Sequence, residues 1–401
     1  MNPYSPLAYF IVLTLILMLV KTPLFSVADQ PWHPENSRTF TIDGLRGFLA
    51  ISVFFHHAAV YYRYLLTGSW QLPPSVFYTQ LGQSSVALFF MITGYLFWGK
   101  AIRTCGRLPW RNLYIGRLFR ISPLYYLATL FMLLVVFLNT GLTIHESPAI
   151  LWRELLPLSL LGFYEIAPMI NTYQTPANIL AGVIWTLHYE WLFYLLILPL
   201  AAIFARLRNG HIWFSIIGAV ICLALVAISP GTKTVALADF FIGMTCASIL
   251  EFKSATSRST TNTAQSILVI VLLALLATQF QTAYAAIPVM ILGLVFFLIS
   301  SGCTVFSVLN RRSSRRLGEI SYGIYILQGL ALYAAFAYAP VRAFALGTVL
   351  HYWVIITIAG LFLTTTALAA HILIELPGIR MGQAIIRRFT ENQPIKPVVP
   401  H

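Results

Sequence analysis

The sequence predicts an all-α fold: a polytopic transmembrane helical bundle with a ten-helix core and one extra N-terminal span. Of its 401 residues, 59% are hydrophobic and only 9% are charged, whereas about 25% of residues are charged in an average soluble domain. The hydrophobic residues fall into separate runs of about 17–25 residues, the length with which a helix crosses a bilayer. These observations exclude a water-soluble globular protein.

Eleven apolar runs are predicted to cross the membrane. The first, residues 4–20, follows no basic residue and precedes no clear small-residue cleavage site, so we expect an uncleaved helix rather than a signal peptide. The apolar stretch 152–164 is too short to cross, and we assign it to a long external segment, 142–182, that can dip into the membrane. The ten core runs lie at 44–62, 84–102, 121–141, 183–205, 211–228, 235–252, 265–280, 284–303, 319–338 and 351–373.

Basic residues mark one side of this topology. With 152–164 left out, the Arg and Lys clusters all fall on one side, which the positive-inside rule identifies as the cytoplasm. We therefore attribute the formal net charge of +13 to topology and expect no nucleic-acid partner. The clusters lie at 103–120, 206–208, 253–258, 311–316 and 380–388. We divide the chain into an extra helix and its connection (1–39), a membrane core (40–382) and a flexible cytoplasmic tail (383–401).

The cysteines predict neither a disulfide framework nor a metal site. Cys105, Cys222, Cys246 and Cys303 are scattered along the chain, and no two of them form a Cys-x-x-Cys pair. We therefore expect no metal cofactor.

Arg46 and His57 are predicted to share one face of the first core helix. They are eleven positions apart, which corresponds to about 20° of rotation and about 16 Å along the axis. With Arg46 at the cytoplasmic interface, His57 lies near the middle of a hydrocarbon layer about 30 Å thick, where an ionisable group indicates function. An imidazole can accept a proton from a hydroxyl or carry an acyl group. The alternative is a core histidine bonded to a neighbouring helix, and His56 is expected to pack in this way.

Three arginines are predicted to gather at the cytoplasmic mouth. Arg117 and Arg120 are three positions apart and share a helical face. Arg46 lies at the cytoplasmic end of the first core helix, on the same side of the membrane. Guanidinium groups match phosphate oxygens well, so the cluster suits a polyanionic ligand. The alternative is that all three only set the topology.

Aromatic residues accompany two further acidic positions. Glu190 lies about two turns into its span from the external side and shares a face with Tyr194, so it could bind sugar hydroxyls or orient His57. Trp185 is placed at interface level, where aromatic belts are common. Later in the chain, Tyr322 and Tyr325 follow Glu319 along one ridge. We expect Glu319 to pair with Arg315 or Arg316, and Glu375 with Arg380.

Five of these stretches together resemble the acyltransferase 3 family of integral-membrane acyltransferases, which includes bacterial O-acetylases of lipopolysaccharide O-antigen and other surface glycans. The resemblance runs from about residue 40 to 382. It is carried by Arg46-x10-His57, by Arg117-x2-Arg120 before Ser-Pro-Leu-Tyr-Tyr, by the block Trp185–Tyr194 with Glu190, by Ser321-Tyr-Gly-Ile-Tyr325 and by Glu375-x-Pro377.

The resemblance implies a multi-pass enzyme of the bacterial inner membrane, with acetyl-CoA or another acyl-CoA as the cytoplasmic donor. The implied acceptor is a surface glycan or a lipid-linked sugar, and membrane lipid is the other partner. Many family members have a histidine where this chain has Gln328, so we expect no proton relay there. The site residues would be His57 and Glu190 as catalytic residues, Arg46, Arg117 and Arg120 as ligands of the CoA phosphates, and Trp185, Tyr194, Tyr322 and Tyr325 as substrate contacts.

Two other functions remain compatible with the residues. In a secondary transporter of an anionic metabolite, the arginines and Glu190 would line a path and His57 would relay protons. A scaffold for a glycan-assembly complex would tolerate the loss of all these polar residues.

Overall fold

The computed structural model describes residues 2–29, 37–252 and 263–391, and these residues form an all-α helical bundle, as predicted. The first helices are α1 (Pro6–Lys21), α2 (Ser37–Thr67), α3 (Val76–Arg103), α4 (Trp110–Asn139), α5 (Pro148–Ser159), α6 (Trp185–Leu192), α7 (Leu198–Phe204) and α8 (Gly210–Ile228). They are followed by α9 (Thr232–Phe252), α10 (Thr263–Gln279), α11 (Ala286–Ser300), α12 (Arg312–Glu319), α13 (Ser321–Ala337), α14 (Ala339–Gly347), α15 (Val349–Ala370) and α16 (Leu376–Glu391). Strands β1 (Met169–Ile170) and β2 (Tyr173–Gln174) pair antiparallel.

Each of the predicted spans coincides with a helix of this bundle. Six helical stretches of the described chain are long and apolar enough to cross a membrane: α3, α4, α6 with α7, α8, α9, and α15 with α16. The helices α1, α10 and α11 are apolar but shorter, with 16, 17 and 15 residues. The run 44–62 lies within α2, which has 31 residues. The protein is therefore a multi-pass membrane protein.

Two predicted spans differ in shape from the expectation. The run 319–338 belongs to a pair of helices, α12 and α13, which bend by 67°. The reason is polarity, because α12 is rich in arginine and serine whereas α13 is apolar. The run 351–373 continues into the amphipathic α16, which packs against α4. The predicted tail, 383–401, thus begins inside a helix, and its residues 392–401 lie outside the described residues.

The segment 142–182 extends into the bundle as far as the middle of α4. Tyr126, near the middle of α4, donates a hydrogen bond to the carbonyl of Ser159 at the end of α5 (2.8 Å). The indole of Trp191 donates to the carbonyl of Leu161 (2.9 Å). The chain then returns to the hairpin β1–β2, where Asn171 donates to Thr140 at the end of α4 (2.9 Å). The chain therefore enters α6 from a level inside the bundle.

The basic clusters within the described residues meet at one end of the bundle; the predicted cluster 253–258 lies outside the described residues. We call this end of the bundle the basic end. Here α1, α3 and α9 end, and α2, α4 and α12 begin. Arg103 at the end of α3 forms an ion pair with Glu251 of α9, and Gly318 of α12 packs against the carbonyl of Asp43 in α2. Tyr78 of α3 and Trp353 of α15 bond to the carbonyls of Ser5 and Pro3 at the opposite end.

Arg316 fastens the N-terminal helix to the core. Its guanidinium donates to the carbonyls of Val20 (2.9 Å), Lys21 (3.2 Å) and Thr22 (2.9 Å) at the end of α1, where carbonyls lack partners within the helix. Arg316 and Arg312 also bind the carboxylate of Asp29. The acidic partner of Arg316 is thus Asp29, whereas the alternative pairing of Glu319 with Arg315 stays a prediction.

The ion pair between Asp29 and Arg316 should weaken in acid. The guanidinium groups of Arg316 and then Arg312 hold the pKa of Asp29 well below its usual range. Because this pKa is lower than that of an unfolded aspartate, about 3.9, the contribution to stability is complete above about pH 4 and is lost as the pH falls through the folded pKa. The protection factors of the α1 amides in hydrogen exchange, which correct for the pH dependence of the intrinsic rate, should therefore show a downward step below about pH 4. An Asp29→Asn variant should show no such step, and an unchanged step would contradict the assignment.

Helices α3 and α9 approach each other through glycines, as helices in membranes often do. A Cβ atom at Gly243 of α9 would lie 2.1 Å from the carbonyl oxygen of Met91, and one at Gly94 of α3 would lie 2.3 Å from that of Phe240. The two backbones are therefore in direct contact. This contact fixes α3, whose residues border both cavities described below.

Replacing Gly243 with alanine should lower the free energy of unfolding by about 1–3 kcal/mol, the usual cost of forcing an added methyl group into a packed interior. Thermal unfolding in detergent would measure the change. Gly116→Ala is the matched control, because nothing lies within 4 Å of a Cβ atom at that helical position. Equal stabilities of the two variants would contradict the close approach of α3 and α9.

Candidate active site

A cavity at the basic end brings together the three arginines that the sequence singled out. It has a volume of about 420 Å³ and is bordered by Arg46 from α2, Arg117 and Arg120 from α4, and Lys100 from α3. We call it the arginine cavity. Sequence reasoning missed Lys100, although it lies one turn before Arg103 at the end of a helix. Four cationic side chains in one cavity suit a polyanionic ligand.

Neighbouring side chains hold the arginines in place. Asp43 lies 3.5 Å from the guanidinium of Arg46, and the guanidinium carbon of Arg117 lies 4.8 Å from the centre of the Phe97 ring. The side chains of Arg46 and Arg120 are 22% and 29% exposed. Their charged groups are therefore oriented by the protein but remain accessible to a ligand.

Glu190 lies in the arginine cavity, which corrects its predicted position near the outer face. The side chains of Tyr194 and Tyr322 border the same cavity, and the hydroxyl of Tyr194 donates to Glu190 (3.2 Å). The reason is the segment 142–182, which delivers α6 at a level inside the bundle. The second turn of α6 consequently lies on the side of the arginines.

Two π-helical turns lie close to this cavity. The first, Phe193–Ile197 between α6 and α7, contributes Tyr194 to its border, and the second, His371–Glu375 between α15 and α16, lies behind Arg120. Such turns are rare and are frequent at functional sites. The second turn places Glu375 where it accepts a hydrogen bond from Nδ1 of His371 (2.9 Å) and lies 3.9 Å from Nε of Arg120. The predicted pairing of Glu375 with Arg380 is therefore wrong, because the π turn directs the carboxylate into the bundle.

His57 faces a second cavity, nearer the opposite end, rather than the lipid. This histidine pocket has a volume of about 150 Å³ and is also bordered by Trp185, Tyr284, Tyr325 and Gln83. The predicted substrate contact Trp185 thus lies beside His57. His56, in contrast, bonds through Nδ1 to the carbonyl of Tyr78 (2.8 Å) and lies close against Gly82, so it is a packing residue, as expected.

Gln328 fixes the hydrogen-bonding state of His57. The amide nitrogen of Gln328 donates to the carbonyl of Tyr325 (2.9 Å), which leaves its oxygen to face Nδ1 of His57 (3.2 Å). An amide oxygen can only accept, so Nδ1 carries the proton and Nε2 keeps a free lone pair. Gln328 cannot relay a proton, as expected, but it orients the imidazole as a base. Sequence reasoning missed this contact because the two residues are far apart in the chain.

Tyr325 links the two cavities. A small cavity of about 90 Å³ lies between them and is bordered by Arg46, Glu190, Thr186 and Tyr325. The hydroxyls of Tyr325 and Thr186 are 3.1 Å apart and form a hydrogen bond. Tyr325 borders all three cavities, so its ring lies where the arginine side and the imidazole side approach each other.

A family model described as an acyltransferase domain, Acyl_transf_3, matches residues 40–370. The chain belongs to the acyltransferase 3 family. Comparison of this acyltransferase with curated proteins and with solved structures gave no match. The matched region of the acyltransferase contains His57, its partner Gln328 and the residues described above around the arginine cavity, apart from His371 and Glu375 in the second π turn.

Proposed function

We propose that this membrane acyltransferase moves an acyl group, acetyl in the simplest case, from acyl-CoA to a hydroxyl of a surface polysaccharide such as lipopolysaccharide O-antigen, or of its lipid-linked precursor. The membrane would be the bacterial inner membrane. One observation carries the proposal: a cationic cavity and a pocket with an oriented histidine base lie at different levels of the bundle and share Tyr325.

The arginine cavity suits the donor. Phosphate groups of CoA would bind Arg46, Arg117 and Arg120 through charge-assisted hydrogen bonds, with Lys100 at the rim. The pantetheine arm is uncharged and would extend past Glu190 toward Tyr325, which places the thioester next to the histidine pocket. A cavity of about 420 Å³ suits this part of the molecule, with the nucleoside outside it.

His57 would supply the base. Nε2 would accept the proton of the acceptor hydroxyl while the hydroxyl oxygen bonds to the acyl carbon. The bond between this carbon and sulfur then breaks, and the proton passes from His57 to the CoA thiolate. In the alternative route Nε2 attacks the acyl carbon first, and the carbon–sulfur bond breaks to release CoA as the thiolate. The acceptor hydroxyl oxygen then bonds to the acyl carbon, the bond to Nε2 breaks, and the hydroxyl proton passes to the thiolate. The free lone pair on Nε2 serves either route.

The test uses purified protein in proteoliposomes, radiolabelled acetyl-CoA and lipopolysaccharide that carries O-antigen. We expect label in the glycan and free CoA in equal amounts, both measured by chromatography. A transporter would move an anionic metabolite without consuming CoA. Failure to release CoA with any of several lipopolysaccharides or lipid-linked oligosaccharides would overturn the proposal.

A further inference from the structure

We propose that aromatic residues grouped around Trp70, whose indole lies against His57, form a binding site for a carbohydrate ring of the acceptor. The site consists of Tyr61, Tyr64, Trp70, Tyr173 and Tyr333, which we call the aromatic rim. The assignment of the bound sugar as the acceptor rests on the proposed function, whereas sugar binding itself does not. None of these residues stood out in the sequence, because they come from α2, the loop after it, the β hairpin and α13.

Trp70 connects the rim to His57. Its indole stacks on the imidazole of His57, with ring centres 6.4 Å apart and planes inclined by 25°. Tyr64 and Tyr61 meet the same indole edge-on, at 5.6 Å and 5.8 Å. A ligand held against these rings therefore lies next to the proposed base.

The loop that carries Trp70 is held in place. Arg63 of α2 donates to the side-chain oxygen of Gln71 (2.8 Å) and to the carbonyl of Leu72. Leu72 also borders the histidine pocket. The loop thus positions Trp70 without help from a ligand, which lowers the entropic cost of binding.

The other side of the rim comes from the hairpin and α13. The amide of Asn139, at the end of α4, donates to the hydroxyl of Tyr333 (3.0 Å). Asn171, two residues before Tyr173 in the hairpin, donates to the hydroxyl of Thr140, the residue that follows Asn139 (2.9 Å). The hairpin and Tyr333 therefore meet at the same end of α4, although they come from separate elements.

The chemistry of the rim matches a sugar better than a hydrocarbon chain. A pyranose ring has a face of C–H groups, which packs on aromatic rings, and an edge of hydroxyl groups. Within the described chain, the hydroxyls of Tyr64 and Tyr173 have no hydrogen-bond partner, and both residues are partly exposed. They can bond to sugar hydroxyls, whereas a hydrocarbon would leave them unpaired. Tyr61 is buried against Phe336 and supports the indole of Trp70. The rings of an interfacial belt sit at headgroup level, whereas Trp70 faces His57, and Tyr61 and Tyr64 pack on its indole.

Saturation-transfer NMR would test the site directly. The protein in lipid nanodiscs is mixed, without acyl-CoA, with the methyl glycosides of glucose, galactose, rhamnose and N-acetylglucosamine. We expect saturation of the ring C–H protons of at least one glycoside. Tyr64→Ala and Trp70→Ala should weaken its binding about 3- to 10-fold, the effect of losing one aromatic contact. Tyr164→Ala is the matched control, because this tyrosine is 66% exposed outside the rim.

The outcomes separate this proposal from the proposed function. Binding of no glycoside by the wild-type protein would overturn the rim, and so would equal binding by the rim variants and the Tyr164→Ala control. Tyr64→Phe is a second variant that should fold normally, because it keeps the ring. It should still bind the glycoside more weakly, because the hydroxyl is missing. Either negative result leaves the CoA-release test unaffected. Sugar binding without CoA release would instead support the rim and overturn acyl transfer.

Discussion

His57→Gln is expected to lower kcat for acyl transfer by about 10²- to 10⁴-fold, the range typical of general acid–base catalysis. The glutamine side chain fills a similar volume and keeps a polar end, but it has no lone pair of comparable basicity. Release of free CoA in the presence of lipopolysaccharide would measure the loss. If His57 carries the acyl group instead, the loss should be of similar size, and the wild-type enzyme should show a short-lived labelled protein with acetyl-CoA alone.

Two further variants test whether the loss of activity is specific to His57. Gln328→Leu should reduce kcat less than His57→Gln does, because the imidazole remains but its orientation is no longer fixed. His188→Gln should have no effect, since this histidine is exposed and bonds only to the carbonyl of Phe163 among the described residues. If the His57→Gln variant transferred the acyl group at the wild-type rate, His57 would have no role in the mechanism.

The second large effect is expected from the arginine cavity. Arg117→Gln and Arg120→Gln should each raise KM for acetyl-CoA by about 10- to 100-fold, because a hydrogen bond to a charged group contributes about 1.5–3 kcal/mol. The value of kcat should change much less, since neither side chain reaches the histidine pocket. Initial rates at varied acetyl-CoA concentration would give both constants.

Arg107→Gln serves as the control for these variants. This arginine is exposed at the same end of the bundle and does not border the arginine cavity, so its removal changes the net charge alone. An equal rise in KM for Arg107→Gln would show that the effect is a general attraction of anions. A fall in kcat with unchanged KM in Arg117→Gln would contradict the assignment of the donor site.

The sequence was sufficient for the features that depend on one helix at a time. Hydrophobic runs predicted the positions of the helices, because the length and composition of each run determine whether it can span a membrane. Helical periodicity related Arg46 to His57, and the structure places both beside cavities that Tyr325 borders. The spacing of Arg117 and Arg120 likewise predicted a shared face.

Features that depend on how segments enter the bundle could not be predicted in this way. Glu190 was placed too near the outer face because its depth depends on the irregular segment before α6, whose path no periodicity describes. The partner of Glu375 was wrong because a π turn changes the direction of the side chain. The contact between His57 and Gln328, and the rim around Trp70, join residues from separate elements and become visible only in three dimensions.

The hydrogen bond between Tyr325 and Thr186 has a consequence for the membrane itself. An enzyme that takes one substrate from each side of a bilayer needs an aqueous opening on both, and a continuous opening would let ions leak. Tyr325 lies where these two openings approach each other, and its bond to Thr186 holds the ring in that position. In the proposed reaction, displacement of the ring only while an acyl group passes would keep the openings apart and preserve the ion gradients of the cell.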